Sequence, residues 1–360
     1  MAKRRARSSD RRLLTVLLAI SNRPYPPSWV DRLSGWVERS RLPGIVFYSG
    51  LYLAITLAIQ VMGWFAGTAP YGVLSQREFL YQIFALVAFY YMYIAPGFAM
   101  DAMRNFRPLL DVSEKEVYRL KYSLAFLPAG LTNALTVVAF VASFIFAYAS
   151  PALFGQSTEI TLSYLVVQTL SWCFGVLAAV LLVYRLIHQM RRVNEIYTLV
   201  ANIDLYNLGP IYSLSSFMAK ASFMLLILVY SGLLSDPSNF EIDQFVQGSL
   251  GIAMVALAGF VLPLLGINRR LVAAKAEKLQ ESGREVRAAF ERLSTEQVKK
   301  KLDKVGNTRQ LIDAVIRKRE YIQSISTWPW QSATLRNLLA GVFLPVMIWL
   351  IQQGLNRFIN

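Results

Sequence analysis

One cysteine and one histidine are the only thiol and imidazole that this 360-residue chain could offer a transition metal. Cys173 sits inside an apolar run, so neither an intramolecular disulfide nor a cysteine-based zinc site can form. His188 has no carboxylate three or four residues away; the expected role is to cap carbonyls or face lipid headgroups rather than to act as a base. Charge is scarce as well: 16% of the residues are charged and 55% hydrophobic, against roughly 25% charged in soluble domains. A soluble fold cannot hide that much apolar surface. Asp and Glu are missing from every long apolar run, which removes the mid-membrane carboxylate that proton- and sodium-coupled carriers usually need. A phosphate-binding glycine loop, a Ser-His-Asp constellation, an HExxH motif and paired membrane carboxylates are all lacking, so neither enzyme activity nor a cofactor nor a metal is expected.

What is present is apolar length. Six runs of about 18 residues or more carry no Asp, Glu or Arg, and each is long enough for a helix to cross a hydrocarbon core about 30 Å thick. The formal charge of +15 would suit nucleic acid, but its distribution decides otherwise. With loops assigned alternately to the two faces, every one of the 37 Lys and Arg residues except Arg77 and Arg357 falls on one side. That asymmetry is the positive-inside rule, so the N-terminus is expected in the cytoplasm and the basic excess against anionic lipid. Nucleic acid is not an expected partner.

The expected fold is an all-α integral membrane bundle of six or seven spans with a cytoplasmic helical arm. Residues 1–42 form a basic, interfacial region: Leu13, Leu14, Leu17 and Leu18 share a helix face behind Arg11 and Arg12, and a second short helix starts at Ser28 with Asp31 as its capping partner. Both should lie flat on the inner leaflet. The charged, then apolar, start imitates a signal peptide without a small-x-small cleavage site, and is expected to be retained. Residues 43–267 hold the six spans, at about 44–64, 79–94, 126–149, 162–184, 217–234 and 245–267. Pro96-Gly97 should break or kink the second. Ser113 with Glu116 signs the start of a helix in the next inner loop, and Pro151, Gly155 and Ser157 mark a short outer loop. The stretch 202–210 interrupts helix after span four, with Pro210 suited to the first turn of the helix that comes next.

Residues 268–333 are the only long polar segment, and apolar sequence flanks them on both sides. Charge alternating with Leu271, Ala274, Leu279, Val286 and Phe290, as in a coiled coil, carries the sixth helix on to about residue 293. Ser294 with Gln297 then opens a short helix that Gly306 closes. A third helix runs from Asn307 or Thr308 to about Ser324, its Leu311, Ile312, Val315, Ile316 and Ile322 returning along the outgoing arm. Residues 334–360 close the chain. Their apolar core of about 14 residues suits a re-entrant helix, and about 20 residues with Arg336 snorkelling suits a seventh span, the favoured reading, with the C-terminus outside.

Several further features compete for function. Lys220, a turn inside span five, either contacts an anion in a cavity or snorkels to the interface. Asp204 is a polar hinge or part of a plain interfacial loop anchored by Tyr206. Trp328, Pro329 and Trp330 anchor the chain in the headgroup region or couple the arm to the last apolar run. The leading expectation is a non-enzymatic membrane protein whose arm serves self-association, partner contact or signal coupling. The alternative is a pore or facilitative carrier, one that could take anions.

Thr327-Trp328-Pro329-Trp330, Thr334-Leu335-Arg336 and Phe343-Leu344-Pro345 resemble segments of uncharacterised bacterial multi-pass membrane proteins, as do Arg107-Pro108-Leu109-Leu110 and residues 203–213. The resemblance implies a bacterial inner-membrane setting and brings no activity, substrate or cofactor with it.

Overall fold

In a computed structural model, residues 23–40, 42–67, 70–74, 76–149, 162–200, 203–235, 254–298, 302–343 and 347 are described. The expected helix around Leu13, the outer loop at Pro151, the first part of span six and the end of the final apolar run lie outside them. Among the described residues every regular element is helical, and β pairing is limited to two isolated bridges. In chain order come α1 (Trp29–Arg39), α2 (Gly44–Phe65), α3 (Gln76–Phe106), α4 (Glu114–Ala125), α5 (Ala129–Ala149), α6 (Leu162–Thr198) and α7 (Gly209–Ser235). They are followed by α8 (254–261), α9 (Leu265–Val298), α10 (Leu302–Ser324) and α11 (332–343).

Six of these helical stretches are long and apolar enough to cross a membrane, and the chain is an all-α multi-pass membrane bundle. The central helices are α3, α6 and α7, whose span windows are half or more buried; α2 and α5 turn most of their surface outward. Phe140, Val141, Phe144 and Ile145 of α5 are exposed, which is what a lipid-facing helix requires. Small residues let the central helices approach. Ala95, Ala99 and Met103 of α3 are buried with Leu214, Met218 and Ala221 of α7 in one core, and α3 and α7 share the most extensive contact in the bundle. Gly44 at the start of α2 is the closest such approach, with the Tyr93 ring where a Cβ would stand.

Three expectations change. Helix α3 is not broken at Pro96 but continues through it to Phe106, with Ala95 and Ala99 on either side of the proline buried in the core that α7 shares. The arm has two helices rather than three: α9 passes through Ser294, whose hydroxyl donates back to the Glu291 carbonyl instead of capping a new helix, and α10 passes through Gly306. Finally, α1 is more than a surface helix, because one side of it packs on the rest of the chain. It is plugged into the bundle through Val30, Asp31 and Val37, all buried.

Candidate functional site

The charged end of the bundle holds two polar constructions, one buried and one half-exposed. The buried one begins with Ser28, which caps α1: its hydroxyl accepts from the Asp31 N–H at 3.2 Å and donates to Asp31 Oδ2 at 2.7 Å. Ahead of it, Pro27 pairs with Pro128, the Ser28 N–H donates to the Leu127 carbonyl, and the Ala129 N–H donates to the Pro26 carbonyl, each at 3.1 Å. The Tyr25 hydroxyl donates to the Phe126 carbonyl at 2.8 Å, while that of Tyr122 donates to the Tyr25 carbonyl at 3.0 Å. Residues 25–28 are thereby laced to the link between α4 and α5.

Asp31 makes the lacing a clamp. Its Oδ2 also accepts from the Leu127 N–H at 2.9 Å, and its Oδ1 takes the Arg185 Nη1 at 3.3 Å. Arg185 Nη2 donates to the Ala125 carbonyl. The Asp31 and Arg185 side chains are 0% and 1% exposed, a fully buried ion pair between the N-terminal helix and a spanning helix. Residues 185, 188 and 189 share one face of α6 by their spacing. His188 donates through Nε2 to the Ser123 carbonyl at 2.8 Å, and Gln189 Oε1 accepts from the Tyr91 hydroxyl at 3.3 Å. Arg185 Nε and Gln189 Nε2 are buried without a hydrogen-bond partner. Burial pushes the Tyr25 phenol upward and that of Tyr122 up to about 12, so both stay neutral donors in the lacing.

The second construction is the root of the arm. Three polar residues on the first turns of α9 hold two chain ends, those of α6 and α10. Asn268 donates to the Thr327 carbonyl at 2.9 Å. Arg270 donates to the Tyr197 and Val200 carbonyls at 3.2 and 3.0 Å, closing the end of α6. Lys275 donates to the Gln323 and Ile325 carbonyls at 2.6 and 2.7 Å, closing the end of α10. Both cations sit where unpaired carbonyls and the negative end of a helix dipole collect. Farther out, Lys318 bridges to Glu285 at 2.8 Å, a partner that raises the ammonium pKa.

No match to this chain appears among protein families, curated proteins or solved structures. Function is therefore read from the geometry of this chain alone. His188 caps a carbonyl as expected, although of α4 rather than of its own helix. Lys220 is exposed with its ammonium 4.5 Å from the centre of the Phe98 ring, a cation–π contact rather than an anion pocket. Asp204 Oδ1 accepts from the Tyr206 N–H at 2.9 Å, a local Asx turn. Tyr206 in turn stacks on Tyr321 of α10, ring centres 5.9 Å apart, and so anchors the interruption to the arm. Trp328 and Trp330 stack at 4.5 Å, Trp330 reaches Phe260 of α8, and Pro329 between them is buried. Arg336 lies exposed on α11.

The buried pair is hidden in the sequence because the capping box already accounts for Asp31, and the apolar run of span four ends at Tyr184, one residue short of Arg185. Lys220 is accordingly not the only ionisable group at the spans. A visible signal is the triplet Arg185, His188 and Gln189, a polar face on an otherwise apolar helix. Among the described residues no three His, Cys, Asp or Glu side chains gather as metal ligands. A small cleft of about 20 Å³ between α2, α3 and α6 is lined by Tyr48, Tyr52, Leu86, Phe89 and Phe174 among others, a wall without charge.

Proposed function

We propose that this is a non-enzymatic membrane protein of the bacterial inner membrane, its basic end in the cytoplasm, whose helical arm makes protein contacts and passes their strain to the bundle. The observation that carries the reading is the root of the arm. One helix, α9, leaves the last described crossing and binds both the end of α6 through Arg270 and the end of α10 through Lys275. A force on the arm is then a force on the end of α6, and through it on the bundle, with α10 held to the same root. The basic face sits against anionic lipid, and no nucleic acid is needed to account for the charge. A carrier reading finds no support in Lys220, which packs on an aromatic ring at the surface.

The test is crosslinking in native membranes with a lysine-reactive reagent, whose targets among the arm's seven lysines include Lys278 and Lys318. Recovery of a defined higher-mass adduct supports the reading. Isolated monomers at every reagent concentration would overturn it, and flux of anions through liposomes that disappears in Lys220→Ala would replace it with the carrier.

A further inference from the structure

The inner seam of the arm is its polar one. Towards α10, α9 turns Leu271, Lys275, Ser282, Glu285 and Ala289, where Lys275 and Glu285 are used in the bonds already described and Ser282 and Ala289 are buried. One position along runs a second series, Val272, Ala276, Leu279, Gly283, Val286 and Phe290, at strict alternating spacings of four and three with no charge in it. That is the a/d pattern of a coiled coil, and the intramolecular hairpin leaves it uncovered at its ends and half-covered in the middle. Val272 and Phe290 are 48% and 50% exposed, Ala276 is exposed, Leu279, Gly283 and Val286 are half-buried, and a Cβ placed on Gly283 would meet nothing within 4 Å.

Building on the proposed role of the arm in protein contact, we infer that this stripe pairs with the same stripe of a second copy, as a parallel, in-register coiled coil about a two-fold axis along the membrane normal. Orientation is set by the membrane: two copies inserted the same way send α9 out in the same direction, so the only symmetric pairing of the two stripes is parallel. Small residues at alternate layers, Ala276 and Gly283, let the backbones close up, and Val272, Leu279 and Val286 supply the knobs.

Extent argues for a copy rather than a short peptide. The four-and-three spacing continues back into the membrane through Leu265, Leu262, Ala258 and Val255, interrupted by Arg269 at the boundary. The 3₁₀ turn at Leu262–Leu264 adds about 60° of rotation over an α-helix, bringing Val255 and Leu262 to within about 40° of Val272. Both are exposed on the span. A stripe about 54 Å long and about 10 Å wide covers on the order of 1,000 Å² over two copies, which reaches the lower bound of a specific interface. Only a partner that also crosses the bilayer can run along it from end to end.

The experiment is disulfide trapping of the full chain in native membranes, in a Cys173→Ala background, with V272C and F290C on the stripe and A288C exposed on the opposite side of α9. Like cysteines bond only where their Cα atoms come within about 7 Å, so V272C and F290C should each give dimer at least about tenfold faster than A288C. Adding Phe290→Glu, a half-exposed position that the monomer tolerates, should abolish the V272C dimer by placing two carboxylates in one layer. Preferential trapping at A288C, or V272C trapping undiminished by Phe290→Glu, overturns the stripe while leaving arm contact standing. No trapping at any position, with lysine crosslinking also yielding only monomer, overturns both. Stripe cysteines shielded from a water-soluble maleimide in a protein that stays monomeric show the chain covering its own stripe, and overturn the dimer.

Discussion

Removing one member of the Asp31–Arg185 pair should release the N-terminal helix, and the size of the effect can be worked from the geometry. Arg185→Met takes away the charge that answers Asp31, leaving a carboxylate with only the Ser28 hydroxyl and the Leu127 N–H in a site from which water is excluded. Asp31→Asn leaves the Arg185 guanidinium with the Ala125 carbonyl alone. Breaking a buried pair from one side costs about 3–5 kcal/mol, a large part of the roughly 5–15 kcal/mol that holds a typical domain. The double variant Asp31→Asn/Arg185→Met removes both charges while keeping an acceptor for the Leu127 N–H. It should therefore lose less than the two single variants together, with a coupling of at least about 2 kcal/mol. Trypsin reads this directly, because Arg32 and Arg39 lie on α1. Where reclosing is fast, cleavage tracks the population of the opened state, and about 3 kcal/mol corresponds to a rise on the order of 100-fold. Cleavage of either single variant within about twofold of the parent, or strict additivity in the double, would refute the clamp.

Three further outcomes rest on the same kinds of contact. Gly44→Ala places a Cβ against the Tyr93 ring and should destabilise by about 1–3 kcal/mol, whereas Gly50→Ala, with open space around it, should stabilise by up to about 1 kcal/mol; thermal unfolding in detergent separates them. Lys275→Met strips two carbonyls of their donor and should speed amide exchange over residues 318–326 by roughly tenfold, with α1 unaffected. The phenols of Tyr25 and Tyr122 are held neutral by burial, so the folded pKa lies above the ordinary value of 10.0. Their stabilising contribution is complete below pH 10 and is lost as pH rises towards about 12, so tryptic cleavage in α1 should climb over that window and Tyr122→Phe should blunt the rise.

Much of the bundle is legible in advance because membrane helices state themselves through length: the expected first span at 44–64 appears as Gly44–Phe65, and Ser113 caps α4 through the Glu116 N–H as its spacing implies. What stays hidden is long-range and polar. Periodicity reports which face of a helix is apolar, but no local pattern says that Asp31 and Arg185, 154 positions apart, meet. Proline and glycine mislead for the opposite reason. At Pro96 and Gly306 local propensity argues for interruption, and the helix runs on regardless. The Trp328-Pro329-Trp330 segment is legible as a turn with indole anchors, whereas its stacking and the reach of Trp330 to Phe260 depend on the return of α10, which only the fold supplies.

The two polar constructions also differ in what they can do. The clamp is buried and nearly satisfied, so it has one arrangement and a steep cost for leaving it, which suits an element that fixes how α1, α4 and α6 meet. The arm root is built from single side chains on carbonyls at half-exposed positions, each worth about 1–2 kcal/mol and replaceable by water. Motion therefore belongs at the root. If a second copy docks on α9, the rearrangement it drives should appear as altered exchange at residues 197–200 and 323–327, the two ends that Arg270, Lys275 and Asn268 hold, before any change at residues 25–31. Simultaneous change at both places would mean that the clamp and the root form one cooperative unit, and the division of labour drawn from their burial would be wrong.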